Sequence, residues 1–410
     1  MLLSMNEILA RYNPWWESAD IFSGLINRPE KVTMLLSHFS SRHIIFLTGL
    51  RRVGKTTLFK LIIKHLIQDE MADARHILYV SLDDYQLAHK SLFEIIDAYR
   101  QLHKILYQDM IYLFLDEITA HPDYEIQLKN LYDKQNIKIY ASSSSASLLK
   151  TKKPYLTGRH ITVEILPLDF EEYLDFKQIH LSPSNASLSD SYFEDYLKEG
   201  GLPEYVIKPD VEYLRTLVDD IIYKDIAAVH HIRNLSLLKD FFTLLMERAG
   251  KQVSINKLAH ILSISPDTAK RYLHLFADTY LIYLMPRYGK TNTMLLSPQK
   301  IYCADLGIRV LFTGFRDKGS LFENYVYLKL KHLHPRYVYE NKCELDFFTE
   351  TQSLIEVKYH GELTSAQKKL FERFPAKRKT VIQSYRDVKA LAWVTEAHTW
   401  ERAGEKMMGS

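Results

Sequence analysis

The sequence predicts an α/β protein: a parallel sheet covered by helices, then a helical lid, a helix-turn-helix and a smaller C-terminal α/β domain. Three observations carry this. Short apolar runs (HIIFLTG, His43–Gly49; then HILYVSLDD, MIYLFLDE and IKIYASSS) alternate with segments of helical periodicity such as TLFKLIIKHLIQ, Thr57–Gln68. Apolar strands separated by helices imply a parallel sheet buried on both faces. The pattern then turns mostly helical over Tyr192–Gly250 and mixed again from Lys300. The expected segments are N-terminal helices over 1–40, broken at Asn13–Pro14 and Arg28–Pro29, and a core over 41–175. A lid follows over 176–250, the helix-turn-helix over 251–290 and the last domain over 291–410. A polar stretch at Leu181–Asp190 is expected to be a surface loop.

Bulk properties narrow the class. The chain has 410 residues, 47% hydrophobic and 25% charged, enough apolar material for more than one core. Formal net charge is only +3, so any attraction to nucleic acid has to be local. Two cysteines, Cys303 and Cys343, without CxxC spacing argue against a disulfide framework or zinc site and fit a cytoplasmic protein. The start lacks the pattern of a signal peptide, and no apolar run approaches the ~20 residues of a membrane span.

The first strand runs into Gly49-Leu50-Arg51-Arg52-Val53-Gly54-Lys55-Thr56-Thr57, the full Walker A spacing. Phosphates need a ring of backbone N–H groups, and glycine lets the chain curl that tightly. The following helix points its positive dipole end at the phosphates. Lys55 is expected on the β- and γ-phosphates of ATP, with the Thr56 hydroxyl on Mg²⁺. Asp116 and Glu117 end the strand MIYLFLDE; Asp116 is expected to hold Mg²⁺ and Glu117 to orient the attacking water. From the neighbouring strand, Ser142, Ser143 or Ser144 would approach the γ-phosphate, and Ser143 is the one expected to do so. Arg159, in PYLTGRH, is the candidate transition-state arginine, supplied to a neighbouring subunit; the alternative is a solvated turn arginine.

SINKLAHILSISPDTAKRYLHLFADTYLIYLMPRYG contains two helices around a Ser-Pro-Asp turn. Leu258, Ala259, Leu262, Tyr272, Leu273 and Leu275 would form their shared core, with Ser265 or Asp267 capping the second helix. Thr268, Lys270, Arg271 and His274 would be exposed and able to meet DNA, and LIYLMPRYGK would form a wing hairpin. The same fold can instead dock protein.

Further on, ELDFF and LIEVKY read as a hairpin carrying Asp346, Glu356 and Lys358, with Glu323 on a preceding helix. Carboxylates that hold Mg²⁺ beside a lysine suit phosphodiester cleavage, and a surface salt bridge is the alternative. Ala366–Lys389 adds eight Lys or Arg against Glu372 and Asp387, suited to a phosphate backbone or simply to a solvated helix face.

Taken together, NPWW, GLRRVGKTT, FLDEI, YLTGR, ILPLDFEEYL, EGGLPEYV, YKDI, KIYCADLGIR, GSLFENYVYLKL, ELDFF and IEVKY resemble, in order and almost end to end, a prokaryotic family of AAA-type ATPases. That family carries a winged helix and a restriction-endonuclease-like C-terminal region. The resemblance implies a P-loop NTPase core of the AAA type, with Arg159 at the arginine of a TGR signature. It puts Glu323, Asp346, Glu356 and Lys358 at the PD-(D/E)xK positions of a nuclease fold shared with Holliday-junction resolvases. ASSSS departs from the family's Thr-Gly-Ser turn. The expectation is an oligomeric ATPase that processes DNA, branched DNA included. Its alternatives are an ATP-controlled switch with an idle nuclease fold and an ATP-gated metal-dependent nuclease.

Overall fold

The computed structural model describes residues 3–18, 20–134, 136–145 and 154–391. The end of the expected C-terminal domain, 392–410, lies outside the described residues. The chain divides into two compact units, Met1–Leu166 and Pro167–Ser410. The first boundary therefore falls ahead of the expected edge near 175. The reason is local. Helix Phe170–Phe176 packs its Phe170 and Tyr173 against Tyr196, a residue of the second unit.

The first unit is built on five strands: β1 Ile44–Thr48, β2 Ile77–Ser81, β3 Ile111–Asp116, β4 Ile137–Ser143 and β5 His160–Glu164. Their order is β2-β3-β4-β1-β5, and every pairing is parallel. Helices α1 Met5–Tyr12, α2 Pro29–Leu36, α3 Lys55–Gln68, α4 Leu92–His103 and α5 Tyr124–Lys134 accompany them. Between the strands' faces and α3, Phe59 meets Phe114 edge-on at 5.5 Å, and Phe114 stacks on Tyr140 at 5.0 Å. After β1 the chain crosses to β2 on one side, and after β4 it crosses to β5 on the other. The carboxyl ends of β1, β4 and β3 thus open a crevice at a topological switch point, where open α/β sheets bind ligands.

An exposed strand edge invites pairing and has to be covered. Here the NPWW motif covers β2. Asn13, fully buried, accepts from the Tyr79 N–H at 2.6 Å and donates to the Tyr79 carbonyl at 2.9 Å, as a neighbouring strand would. Trp16 donates its indole N–H to the Ile77 carbonyl, and Trp15 stacks on Phe22.

The second unit opens with α6 Phe170–Phe176, α7 Ser189–Glu199, α8 Pro203–Ile207, α9 Val211–Asp220, which widens into a π-helical stretch over Ile221–Ala228, and α10 Leu235–Glu247. The polar stretch expected to be a loop contains a 3-10 helix, Pro183–Leu188. A three-stranded antiparallel sheet follows in the order β6-β8-β7, from β6 Gln252–Val253, β7 Ile282–Met285 and β8 Gln299–Cys303. The two predicted helices are α11 Ile255–Ile261 and α12 Pro266–Asp278. Ser265 caps α12, and Leu258, Ala259, Tyr272, Leu273 and Leu275 are buried. The expected wing is different. LIYLMPRYGK is a strand only over Ile282–Met285, and its partner β8 comes after a short helix, α13 Thr291–Leu296. Pro286 and Gly289 break the strand that a tight hairpin would need.

Helices α14 Leu306–Thr313 and α15 Lys318–Leu330 lead to a four-stranded sheet, order β12-β11-β10-β9. Its strands are β9 Arg336–Glu340, β10 Cys343–Phe348, β11 Ser353–Val357 and β12 Arg378–Ile382, with α16 Ser365–Arg373 and α17 Tyr385–Lys389. β9, β10 and β11 run antiparallel, and β12 joins β11 in parallel. The EGG and ADLG motifs meet: Asp305 caps α14 and accepts from the Gly201 N–H at 2.7 Å. A Cβ on Gly201 would lie 2.0 Å from the Leu168 carbonyl oxygen, so the backbones approach too closely for a side chain.

Asn13→Ala removes both bonds that hold Tyr79 and leaves buried backbone groups unpaired. A loss of about 2–3 kcal/mol is expected. Urea unfolding of the full chain, followed by tryptophan fluorescence, measures it; an unchanged midpoint would show that Asn13 does not hold the edge.

Candidate functional site

The P-loop curls as its glycines demand. Gly49 has φ 135° and Gly54 φ 94°, and a Cβ on Gly49 would sit 2.2 Å from the Ile165 carbonyl oxygen. Arg52 also has positive φ, at 66°. α3 starts at Lys55, so the loop delivers its amides to a helix N-terminus. The buried Lys55 ammonium donates to the Gly49 carbonyl at 3.0 Å, the Leu50 carbonyl at 3.1 Å and the Ser144 hydroxyl at 2.9 Å. Val53 is buried, and its carbonyl accepts from Arg28 at 3.0 Å. Arg28 also donates to the Leu166 carbonyl at 3.2 Å and so braces the loop from behind. Arg51 is half-buried and Arg52 exposed, while Thr57 is half-buried at the first turn of α3.

Asp116 is the hub. It is buried at the end of β3 and accepts from Thr56 Oγ1 at 2.5 Å, from Tyr79 Oη at 2.9 Å and from the Ser142 hydroxyl. Burial, then the Asp116 charge, pushes the Tyr79 phenol far above its ordinary range, so it stays a donor. Thr56 and Asp116 meet as a hydroxyl and a carboxylate should to share a hard divalent cation, so the Mg²⁺ implied by a P-loop fits here.

Glu117 has φ 48° and ψ 45°, an uncommon conformation for a residue with a side chain. The Ser142 hydroxyl accepts its N–H at 3.0 Å. Its carboxylate accepts from the Ser144 hydroxyl at 2.6 Å and from the Ser144 N–H at 3.2 Å. Lys55, Ser144 and Glu117 therefore form one hydrogen-bonded chain. Ser143 is not part of it. Side chains alternate along a strand, and Ser143 faces Thr119, 2.9 Å away, while Ser142 and Ser144 face Asp116, Glu117 and Lys55. Ser144, in place of the expected Ser143, is thus the serine that bonds Lys55 and Glu117.

Arg159 lies at the opposite end of the sheet. Its carbonyl accepts from the Ile44 N–H at the start of β1, so a strand of roughly 16 Å separates it from its own P-loop. Its guanidinium is paired with Asp133 through Nε at 3.0 Å and Nη2 at 3.3 Å.

In the second unit, Lys270, Arg271 and His274 are exposed on α12, as expected. Arg271 donates to the His230 carbonyl at 3.2 Å. Thr268 is half-buried, its hydroxyl 2.8 Å from that of Ser265.

Glu323, Asp346, Glu356 and Lys358 also come together, on α15, β10, β11 and just past β11. Lys358 bonds Glu356 at 2.8 Å, and Glu356 accepts from the Asp346 N–H at 3.0 Å and from Gln367 at 2.9 Å. Glu323 and Lys358 line a cleft of ≈ 360 Å³ together with Lys251, Asp317 and Ser320. Burial, with Asp346 adding to it, pushes Glu356 up to about 8, and burial pushes Glu323 up to about 7 against the pull of Lys300. Lys300, on β8, is a residue that sequence reasoning missed. It is 1% exposed, and its ammonium stands 2.7 Å from Glu323, 2.8 Å from Glu344 and 3.5 Å from Asp346. Burial pulls its pKa down, but Glu323, Tyr302, Asp346 and Glu344 outweigh that and hold it well above the usual lysine value. Among the described residues, no three His, Cys, Asp or Glu side chains form a group able to hold a metal ion. The Mg²⁺ that a nuclease fold would imply does not fit here. Also among the described residues, no helix is long and apolar enough to cross a membrane.

Comparison with known proteins agrees with the first unit. Residues 41–174 match the model of an AAA domain, and 190–319 match a domain of unknown function. An uncharacterised protein of Methanocaldococcus jannaschii is 30% identical over 346 residues, covering 78% of this chain and 76% of that protein. An uncharacterised protein of Haemophilus influenzae is 25% identical over 318 residues, 75% of this chain and 78% of its own. Among solved structures, the Walker-type ATPase of Pyrococcus abyssi is similar at TM-score 0.47 and 14% identity, over 70% of this chain and 96% of that one. With its P-loop, its parallel five-stranded sheet and its AAA-domain match, the chain carries an AAA-type P-loop ATPase core, and at this identity and coverage it belongs to one family with the Methanocaldococcus protein.

Proposed function

We propose that the chain hydrolyses ATP at the crevice of its first unit and uses the cycle to control contacts with DNA made by its second. The observation that carries the hydrolytic reading is the chain Lys55–Ser144–Glu117 beside Thr56 and Asp116. These groups carry the charges that phosphoryl transfer needs. Lys55 would exchange the Gly49 and Leu50 carbonyls for phosphate oxygens. The loop amides from Gly49 to Thr57 would cradle the phosphates. Thr56 and Asp116 would hold Mg²⁺, which screens phosphate charge when bound. Glu117 would orient the attacking water, and Ser144 would fix Glu117 and Lys55 relative to each other. Arg159 can act only on a neighbouring copy, after leaving Asp133, and its role therefore requires a homo-oligomer.

For DNA, the support is the exposed basic face of α12 on a helix pair joined to an antiparallel sheet, which we read as a winged helix. The exposed lysines and arginines between Ala366 and Lys389 would add backbone contacts. We read the four-stranded sheet with α15 and α16 as the nuclease-like domain. Branched DNA remains the favoured substrate by analogy of fold alone. A regulatory ATPase with an idle nuclease fold is a second reading, favoured by Lys300 among the acids.

Ser144→Ala is expected to lower the ATPase rate about tenfold or more, as loss of one positioned donor does, while Ser143→Ala stays within about twofold. Steady-state phosphate release compares them; equal losses would remove Ser144 from the mechanism. Glu117→Gln should bind ATP and fail to turn it over.

ATPase activity should rise with linear, forked or four-way DNA. Replacing Lys270 and Arg271 with alanine should weaken DNA binding and flatten its log-salt slope by about 2. Fluorescence anisotropy over a salt series reads this. No stimulation by any DNA, with no measurable binding at low salt, would leave the regulatory reading.

A further inference from the structure

We propose that Lys300 takes the position a divalent cation would occupy among the acids of the second unit, making Glu323, Glu344 and Asp346 a metal-free charge lock. The inference does not depend on the ATPase reading; it concerns Glu323 and Asp346, two of the acids that a nuclease reading would use, together with Glu344.

The geometry is that of an ammonium site. An ammonium has three N–H donors, and three carboxylates converge on Lys300 Nζ, at 2.7, 2.8 and 3.5 Å. Mg²⁺ would need oxygens at about 2.0–2.1 Å, and any divalent ion among these acids would meet a positive charge at contact distance. The second oxygens of Glu344 and Asp346 are engaged as well, while Tyr302 shares with Lys300 the one Glu323 oxygen. Tyr302 donates to Glu323 at 2.7 Å, Gln252 donates to Glu344 at 2.6 Å, and the Val357 N–H donates to Asp346 at 2.9 Å. Lys358 and Gln367 take up Glu356.

The lysine also comes from a different element than the acids. Lys300 sits on β8, the middle strand of the three-stranded sheet, paired with Gln252 and Met285. Glu323 is on α15, and Glu344 and Asp346 are on β10 of the four-stranded sheet. A buried ammonium is tolerated only with such partners, and removing it leaves buried carboxylates uncompensated. The lock therefore joins the sheet beneath the α11–α12 helix pair to the four-stranded sheet. Its acids serve that joint instead of metal-dependent cleavage.

The test uses the full chain without nucleotide and Mn²⁺ as the probe. Any Mn²⁺-dependent change in melting temperature or Mn²⁺ signal by electron paramagnetic resonance in the wild type should persist unchanged in Asp346→Asn, as expected of an ion held at Thr56 and Asp116. Lys300→Met should melt about 5–15 °C lower and recover part of that loss with Mn²⁺, which the vacated acids can then bind. Mn²⁺ uptake by wild type that Asp346→Asn abolishes would overturn the proposal. So would a Lys300→Met variant that melts with the wild type, or one that is destabilised but indifferent to Mn²⁺. If Lys300→Met yields no folded protein, wild type against Asp346→Asn decides alone.

Discussion

A carboxylate buried at the end of a parallel strand has to be met by donors, and the first unit is arranged around that demand. Asp116 collects a hydroxyl from α3, one from β2 and one from β4, namely Thr56, Tyr79 and Ser142. Each comes from a different element, so the hub is satisfied only when the sheet has its order and register. Position along β2 is set in turn by Asn13, which holds the backbone of Tyr79. The N-terminal NPWW motif therefore reaches the crevice through one buried amide and one phenol. Next to the hub, Ser144 links the loop lysine to the strand-end glutamate. Such a network fixes its members before substrate arrives, which is what preorganised electrostatics requires.

The second unit faces the same problem with more charge. Four acids brought together by α15, β10 and β11 repel one another unless cations neutralise them. Lys300 and Lys358 provide the charge from within the chain. Residues matching a cleavage motif are all present, yet the cation among them is covalently attached. The same carboxylate chemistry that would hold a metal here holds two sheets together, and the unit's fold is a weaker guide to its chemistry than the identity of that cation.

Whatever is local in the chain was legible in the sequence. The curl from Gly49 to Thr56 and the strand-end pair Asp116–Glu117 are written in consecutive residues, and the structure brings them together. The hairpin carrying Asp346 and Glu356 was readable for the same reason: two short apolar runs separated by a turn. A run of four serines has no visible parity, so only the register of β4 against β1 decides that Ser142 and Ser144 face the crevice and Ser143 faces Thr119. Arg28, Tyr79, Lys300, Glu344 and Gln367 were missed because their partners lie far away in sequence, and no periodicity marks a buried lysine in QKIYC. Composition likewise hid the helix inside the presumed wing, where Pro286 and Gly289 mark the break but leave the next element undetermined.

The central claim, that the curled loop with Lys55 grips a triphosphate, is tested most directly by equilibrium binding of ATP with Mg²⁺ to the intact chain and to Lys55→Ala. The account predicts saturable binding by the wild type and a loss of affinity of about 100-fold or more in the variant, the cost of removing a buried charge-assisted partner. Equal affinity in the two proteins would contradict it.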